Sequence, residues 1–279
     1  MDLKQKLESG PVLTHGVTQK TNLSNKFDIH TEELVKKGFS IITDVLSAEE
    51  LDYARNKIMD LYSLQVREIG GEDLLEKIKD KNIVRTMMAY DDFFLFKIAL
   101  NEKIRPYVDF ILGESYVMSS QVATINRPSE KLYQLAWHRE LQYQHFTSSR
   151  PLAMQILYCI DDFNAQTGGT FVLPYSHMFS DFPSEEFVLR NQQQVIAPAG
   201  SAILLNSMVY HRSGHNTSNM IRRIITNLYT SPIIAQQINV SAMMNGKYKN
   251  DDFLAKFLGY KWAAASSVNE WRKEHLSKS

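Results

Sequence analysis

Between Ser115 and Thr230 the sequence breaks into six short runs rich in apolar and β-branched residues: "SYVMSSQVATI", "PLAMQILYCI", "GGTFVLP", "QQQVIAP", "SAILLN" and "RRIITNLYT". Turn-forming residues close off each of them. Strands this short bury their apolar faces by pairing antiparallel and packing sheet against sheet, so the pattern predicts a mainly β fold with a two-sheet barrel or jelly-roll core. At 279 residues one extended domain accommodates it. The expected organisation is an N-terminal arm over 1–27, then a single domain over 28–279. That domain comprises a helical layer over about 28–114, the β core over about 115–232 and a helical tail.

The helical layer is legible in "HTEELVKKGFSIITDVLSAEELDYARNKIMDLYSLQ", which parses as a short helix, a strand over Phe39–Ile42 and a second helix. Ser47 with Glu50 three residues on forms a capping box, and Leu51, Ala54, Ile58 and Leu61 then recur at helical spacing. The charged "GGEDLLEKIKDKN" reads as a solvated loop and helix face, and "DDFFLFKIALNEKIRPYVDFILG" as a third helical stretch. The tail from "DDFLAKFLGYKW" onward reads as helical again.

Lys+Arg and Asp+Glu stand at 31 each, so no electrostatic footprint advertises nucleic acid, and none is expected as a partner. No run approaches the roughly 18 apolar residues of a membrane span, and "MDLKQKLESG" lacks a signal-peptide pattern. The expectation is a soluble cytoplasmic protein acting on a small molecule; its oligomeric state leaves no trace in the sequence. The single cysteine, Cys159, lies in an apolar run and reads as an inert core thiol. There is no Walker loop, GxGxxG, GxSxG or CxxC to suggest other chemistries.

One stretch does suggest chemistry. "WHRELQYQH" places two histidines and a glutamate within Trp137–His145. On a strand, His138 and Glu140 would project side by side while Arg139 points away. A third ligand is offered by His211 in "MVYHRSGHN", just after the apolar run "SAILLN". Two imidazoles and one carboxylate on one face leave positions open for substrates, the arrangement that suits non-haem Fe(II) oxygenases. A lone His-x-Glu is more often an ordinary hydrogen-bonded pair; the ordered set downstream strengthens this one. That set comprises Gly168-Gly169, Pro174, Gly200, His211, Ser213, Asn216 and Arg222.

Taken in order, "WHRE", "IDDFNAQTGGTFVLPYSH", "APAGSAILLNSMVYHRSGHNTSNMIRR" and "TNLYT" resemble the phytanoyl-CoA dioxygenase family of Fe(II)/2-oxoglutarate oxygenases, over roughly residues 30–232. The resemblance implies a double-stranded β-helix, the cupin-like form of the jelly roll. It also implies that His138, Glu140 and His211 are catalytic metal ligands for Fe(II), with 2-oxoglutarate and O2 as cosubstrates. Arg222 would clamp the distal carboxylate of 2-oxoglutarate, with Ser213 on the same group. Arg223 competes for that role, but strand alternation lets only one of the pair face the interior. Gln121, or less directly Asn126, would contact the cosubstrate. His177 in "PYSH" falls where the family usually has a structural residue, and His215 reads as surface or pocket rim.

Two departures from the family pattern stand out: Glu140 occupies a position that is usually Asp, and Arg139 replaces the commoner amide or histidine between the ligands. The carboxylate argues against a halogenase, which leaves that position empty for halide. Arg139 is open to two readings, pairing with a substrate carboxylate or phosphate or joining a structural ion pair. His145 is read as structural or as lining the substrate pocket. Trp137, with Tyr133, Tyr143 and Phe146, is read as core packing or as a substrate wall.

The function implied is hydroxylation of an aliphatic C–H bond in a small metabolite or biosynthetic intermediate, releasing succinate and CO2. Two other classes remain open: a non-catalytic jelly-roll binding protein, and a zinc hydrolase on the same ligands. The first has no need of a cosubstrate clamp. The second lacks "HExxH" and a task for Arg222.

Overall fold

The computed structural model describes residues 21–128, 130, 132–141 and 144–276. Most of the expected N-terminal arm, and Tyr143, lie outside the described residues. Helix α1 (Lys26–Lys37) opens on Asn25, whose side chain accepts the Asp28 N–H, and ends at Gly38 in the left-handed region, φ 91°. A Cβ at Gly38 would lie 2.4 Å from the Val209 side chain, so glycine is required there both for the turn and for the close approach. Strand β1 (Phe39–Ile42) follows directly, and the capping box of Ser47 and Glu50 starts α2 (Ala48–Ile69) as expected. Leu51, Ala54, Ile58 and Leu61 are all buried.

After α3 (Glu72–Lys77) the chain forms a strand that the periodicity does not reveal, β2 (Ile83–Arg85). The third helical stretch divides into a π-helical segment, Phe94–Ala99, and α4 (Arg105–Leu112). The β core then supplies β3 (Val117–Asn126), β4 (Ala153–Cys159), β5 (Phe171–Val172), α5 (Glu185–Asn191), β6 (Gln193–Gln194), β7 (Ala202–Asn206), β8 (His211–Arg212) and β9 (Arg222–Thr230). Helices α6 (Val240–Met243), α7 (Asp252–Phe257) and α8 (Val268–Leu276) form the tail.

Among the described residues nine strands make two sheets that do not close into a barrel. The larger runs β1-β7-β4-β9-β3-β2 and the smaller β6-β5-β8, all pairs antiparallel. The large sheet extends beyond the run of β segments by taking β1 and β2 from the helical layer as its edges.

One face of it packs under the helices: Met118, Ala123, Ile125, Met154, Ile156, Tyr158 and Ile225 join Ile58, Phe94 and Ile98 in the main core. On the other face Leu157, Cys159, Ile203 and Leu205 meet Val172 of the small sheet and Val195, which follows β6. Strand β4 is buried on both faces, which is why it reads as a continuous apolar run. Cys159 is a free, fully buried thiol whose pKa is pushed up to about 12 by burial, consistent with an inert core residue. No described helix is long and apolar enough to cross a membrane.

Candidate metal centre

His138 and His211 face each other through a single antiparallel bridge, each backbone N–H donating to the other's carbonyl at 3.0 Å. Their ring centroids lie 4.4 Å apart. His138 Nδ1 is 2.8 Å from the Ala136 carbonyl and His211 Nδ1 is 2.9 Å from that of Val209. A carbonyl only accepts, so both Nδ1 atoms carry a proton and Nε2 is the atom each ring turns to the site.

Burial, with His138 alongside, holds the His211 pKa down to about 3, which keeps the imidazole neutral at pH 7. Glu140 donates its N–H to the Ser207 carbonyl and brings Oε2 within 3.8 Å of His211 Nε2. One ligand atom from each of His138, Glu140 and His211 lies within 4.8 Å of the others, an arrangement that one divalent cation can bridge. The sequence pattern puts His138 and Glu140 on a regular strand; the structure instead has one bridge at His138 and a bend at Glu140. The alternation survives this correction, because both ligands and His211 border one cavity of about 270 Å³.

The carboxylate is fixed by a residue that sequence reasoning missed. Gln155 Nε2 donates to Glu140 Oε2 at 2.6 Å. Gln155 sits on β4 and borders the cavity, as does the next residue but one, Leu157. The signal was present: one amide inside the apolar run "AMQILYC". Burial pushes the Glu140 carboxyl up from the usual range, opposed by His138, this amide and Arg85. Gln155→Leu is therefore expected to weaken metal binding about 10–100-fold, the usual effect of losing a partner that orients a ligand. Calorimetric titration with Co(II) checks it, and unchanged affinity would remove Gln155 from the site.

Arg222, 1% exposed, borders the same cavity. Its Nη2 donates to Ser213 Oγ at 2.8 Å, its guanidinium lies 4.5 Å from the Phe163 ring centre, and its Nε has no partner. Among the described residues no carboxylate pairs with it. Burial lowers its pKa to about 10, so it stays charged at pH 7. Such a buried cation favours an incoming carboxylate. Arg223 projects from the other face of β9, on the side of the helical layer, and binds Asp161, Nε to Oδ2 at 2.8 Å. Ser213 reaches Arg222 because its neighbour Gly214 packs backbone to backbone on Gly168, where a Cβ would lie 2.5 Å from the Gly214 carbonyl oxygen.

Other expected site residues lie elsewhere. Gln121 is corrected: its amide accepts from Met88 N–H at 2.8 Å and donates to the Phe94 carbonyl at 2.9 Å, tying β3 to the helical layer. Ser120, Val122 and Thr124 are the β3 residues that border the cavity, so alternation turns Gln121 to the opposite face. Asn126 pairs in register with Arg222 but does not border the cavity; its Nδ2 donates to the Gly214 carbonyl at 3.3 Å.

Arg139 is among the residues that border the cavity, but its guanidinium is engaged by backbone carbonyls rather than by a carboxylate, so the ion-pair reading is corrected and the side chain is not free for a substrate anion. Its guanidinium is turned away and donates to the carbonyls of Met208 and Ser176 at 2.8 Å, of Phe146 and Ser180 at 3.2 Å, and of Gln144 and Phe179, over the Tyr210 ring. Trp137 packs with Phe182 and near Arg212, away from the cavity wall, and His145 is exposed and does not border it. His177 touches the Val35 carbonyl beside Gly38, a structural position, and His215 is exposed.

The chain is similar to known proteins in sequence and in fold. The sequence model of the phytanoyl-CoA dioxygenase (PhyH) family matches residues 34–224. The uncharacterized protein Rv1501 of Mycobacterium tuberculosis is 29% identical over 208 residues, covering 72% of this chain and 74% of that protein. Among solved structures, EctD from S. alaskensis, crystallised with 2-oxoglutarate and 5-hydroxyectoine, aligns with TM-score 0.60 at 16% identity over 81% of this chain and 82% of that one. HygX from Streptomyces hygroscopicus, with nickel and 2-oxoglutarate bound, aligns with TM-score 0.58 at 14% identity over 76% and 90%. The epimerase SnoN from nogalamycin biosynthesis, in complex with Fe3+, alpha ketoglutarate and nogalamycin RO, aligns with TM-score 0.58 at 14% identity over 74% and 83%.

Proposed function

Because this chain belongs to the phytanoyl-CoA dioxygenase family, we propose that it is an Fe(II)- and 2-oxoglutarate-dependent oxygenase that hydroxylates an aliphatic C–H bond of a small molecule. The observation that carries the reading is the conjunction, in one small cavity, of two imidazoles and a carboxylate with the buried, carboxylate-free Arg222. Ferrous iron, when bound, supplies the coupling of 2-oxoglutarate decarboxylation by O2 to oxidation of the substrate, with succinate and CO2 released.

The chain's own residues do the positioning. His138 and His211 present Nε2 and keep Nδ1 engaged with carbonyls, so neither ring turns. Glu140 would supply the carboxylate that holds the metal together with the two imidazoles, and the Gln155 amide holds one of its oxygens in place. Arg222 and Ser213 receive the distal carboxylate of 2-oxoglutarate, the guanidinium offering the unpartnered Nε. The solved neighbours are associated with varied small molecules, including 5-hydroxyectoine and nogalamycin RO, which supports a metabolite or biosynthetic intermediate as substrate. A zinc hydrolase leaves Arg222 without a task, and a binding module leaves the ligand set without one.

The test is succinate release from 2-oxoglutarate with Fe(II), ascorbate and O2. Arg222→Gln is expected to weaken 2-oxoglutarate binding about a hundredfold, in line with removing one side of a buried charged contact, while Co(II) affinity stays within about twofold. Equal 2-oxoglutarate affinity in the variant would overturn the clamp assignment. Absence of succinate and of 2-oxoglutarate binding in folded, iron-loaded wild type would overturn the oxygenase reading.

A further inference from the structure

We propose that Arg85 anchors an oxyanion, carboxylate or phosphate, on the prime substrate, at the end of the cavity opposite the metal ligands. The inference rests on the oxygenase reading above and names the substrate class of that same site.

Position is the first argument. On β2, Ile83 and Arg85 border the cavity while Val84 is buried in the main core. Arg85 lies in register with Val122, Val122 with Thr226, and Thr226 with Leu157 on β4. That row spans three inter-strand spacings, so the Cα atoms of Arg85 and Leu157 stand about 14 Å apart. Gln155, two residues from Leu157, holds Glu140. The metal ligands and Arg85 therefore sit over opposite ends of one row, and the arginine side chain and the metal take up the ends of that span. A molecule with a few carbons between its anion and its oxidised C–H fits between them. A cavity of about 270 Å³ that must also take the cosubstrate points to the same small size.

Preorganisation is the second. Gln65 pins the Arg85 backbone from both sides, its Oε1 accepting the N–H at 3.0 Å and its Nε2 donating to the carbonyl at 2.8 Å. Asp80 takes the guanidinium edge formed by Nε and Nη2, at 2.6–3.1 Å, and fixes its plane. Nη1 is left with only a long contact, 3.3 Å, to Gln237 Oε1, and Gln237 also borders the cavity. An arginine head held by one edge, with the other facing a cavity, is ready for an oxyanion.

Charge is the third. Among the described residues bordering the cavity the one carboxylate is Glu140, which the metal uses. The Arg139 guanidinium is turned away, Arg222 faces the cosubstrate, and Arg212 stacks on Phe171 with Gln192 as its side-chain partner. A cationic substrate finds no counter-charge here, whereas an anionic one finds Arg85.

The probes are butyrate and its uncharged analogue butyramide, titrated into the anaerobic Fe(II) and 2-oxoglutarate complex of the full chain and followed by saturation-transfer NMR. Butyrate is expected to bind at least about tenfold tighter than butyramide, and Arg85→Gln to remove that advantage, with Arg85→Lys restoring part of it. Thermal melting confirms that both variants fold. Butyramide binding as well as butyrate, butyrate binding unchanged in Arg85→Gln, no butyrate binding to wild type, or displacement of 2-oxoglutarate by butyrate would each overturn the proposal. Failure of wild type to bind 2-oxoglutarate at all would overturn the reading on which it rests, a separate and earlier result in the same titration.

Discussion

His211→Ala is expected to lose metal binding and succinate release together while the chain still folds. His211 offers a neutral Nε2 toward Glu140, and the residue is 4% exposed in a cavity wall it shares with His138. Loss of a partner that merely orients a ligand costs about 10–100-fold in metal affinity, so loss of the ligand itself should exceed about a hundredfold. The fold has less at stake. The side chain makes one hydrogen bond, to the Val209 carbonyl, and the backbone bridge to His138 is independent of the side chain. The stability cost is therefore about 1–2 kcal/mol. Co(II) titration and thermal melting of the same sample separate the two effects. Wild-type affinity in the variant would exclude His211 as a ligand, and Glu140→Ala should likewise abolish turnover.

Arg139→Met acts in the opposite way, on the fold. Arg139 is 2% exposed, and its donors satisfy carbonyls from three separate segments, around Gln144, around Ser176–Ser180 and at Met208. Methionine fills much of the volume but leaves those carbonyls without their donor. Hydrogen bonds from a charged group contribute about 1.5–3 kcal/mol each, and removing the hub of such a cluster should cost about 3–5 kcal/mol in all. Urea denaturation measures it. A loss below about 1 kcal/mol would mean that water replaces the guanidinium at little cost. Lysine should recover only a minor part, since one ammonium cannot reach carbonyls spread around a planar fork.

What the sequence made legible follows from how local each feature is. The capping box at Ser47 and the strand Phe39–Ile42 depend on neighbours in the chain, and both are present in the structure; alternation leaves one of Arg222 and Arg223 to face the interior, and the choice of Arg222 comes from the resemblance. Gln121 went astray for the same reason that Arg222 did not: on β3 the even-numbered positions from Ser120 to Thr124 border the cavity. Resemblance assigned a residue type to a role without its face.

Arg85 and β2 were invisible because a three-residue edge strand carries too little periodicity to read, and its fixing partners Gln65 and Asp80 come from other elements. Arg139 shows a further limit. A cation surrounded by backbone dipoles leaves no acidic residue in the sequence to betray its partners.

The small sheet has a thermodynamic consequence of its own. His211 lies on a two-residue strand and His138 on one isolated bridge, so the ligand-bearing layer is held by few hydrogen bonds, whereas the large sheet has strands of up to ten residues. Segments of that kind open at lower free energy than the core. An ion shared by His138, Glu140 and His211 would be a cross-link as well as a reagent, joining pieces of chain that the backbone secures weakly. Ordering of this layer and occupancy of the centre are then linked functions: whatever favours one raises the other by the same factor.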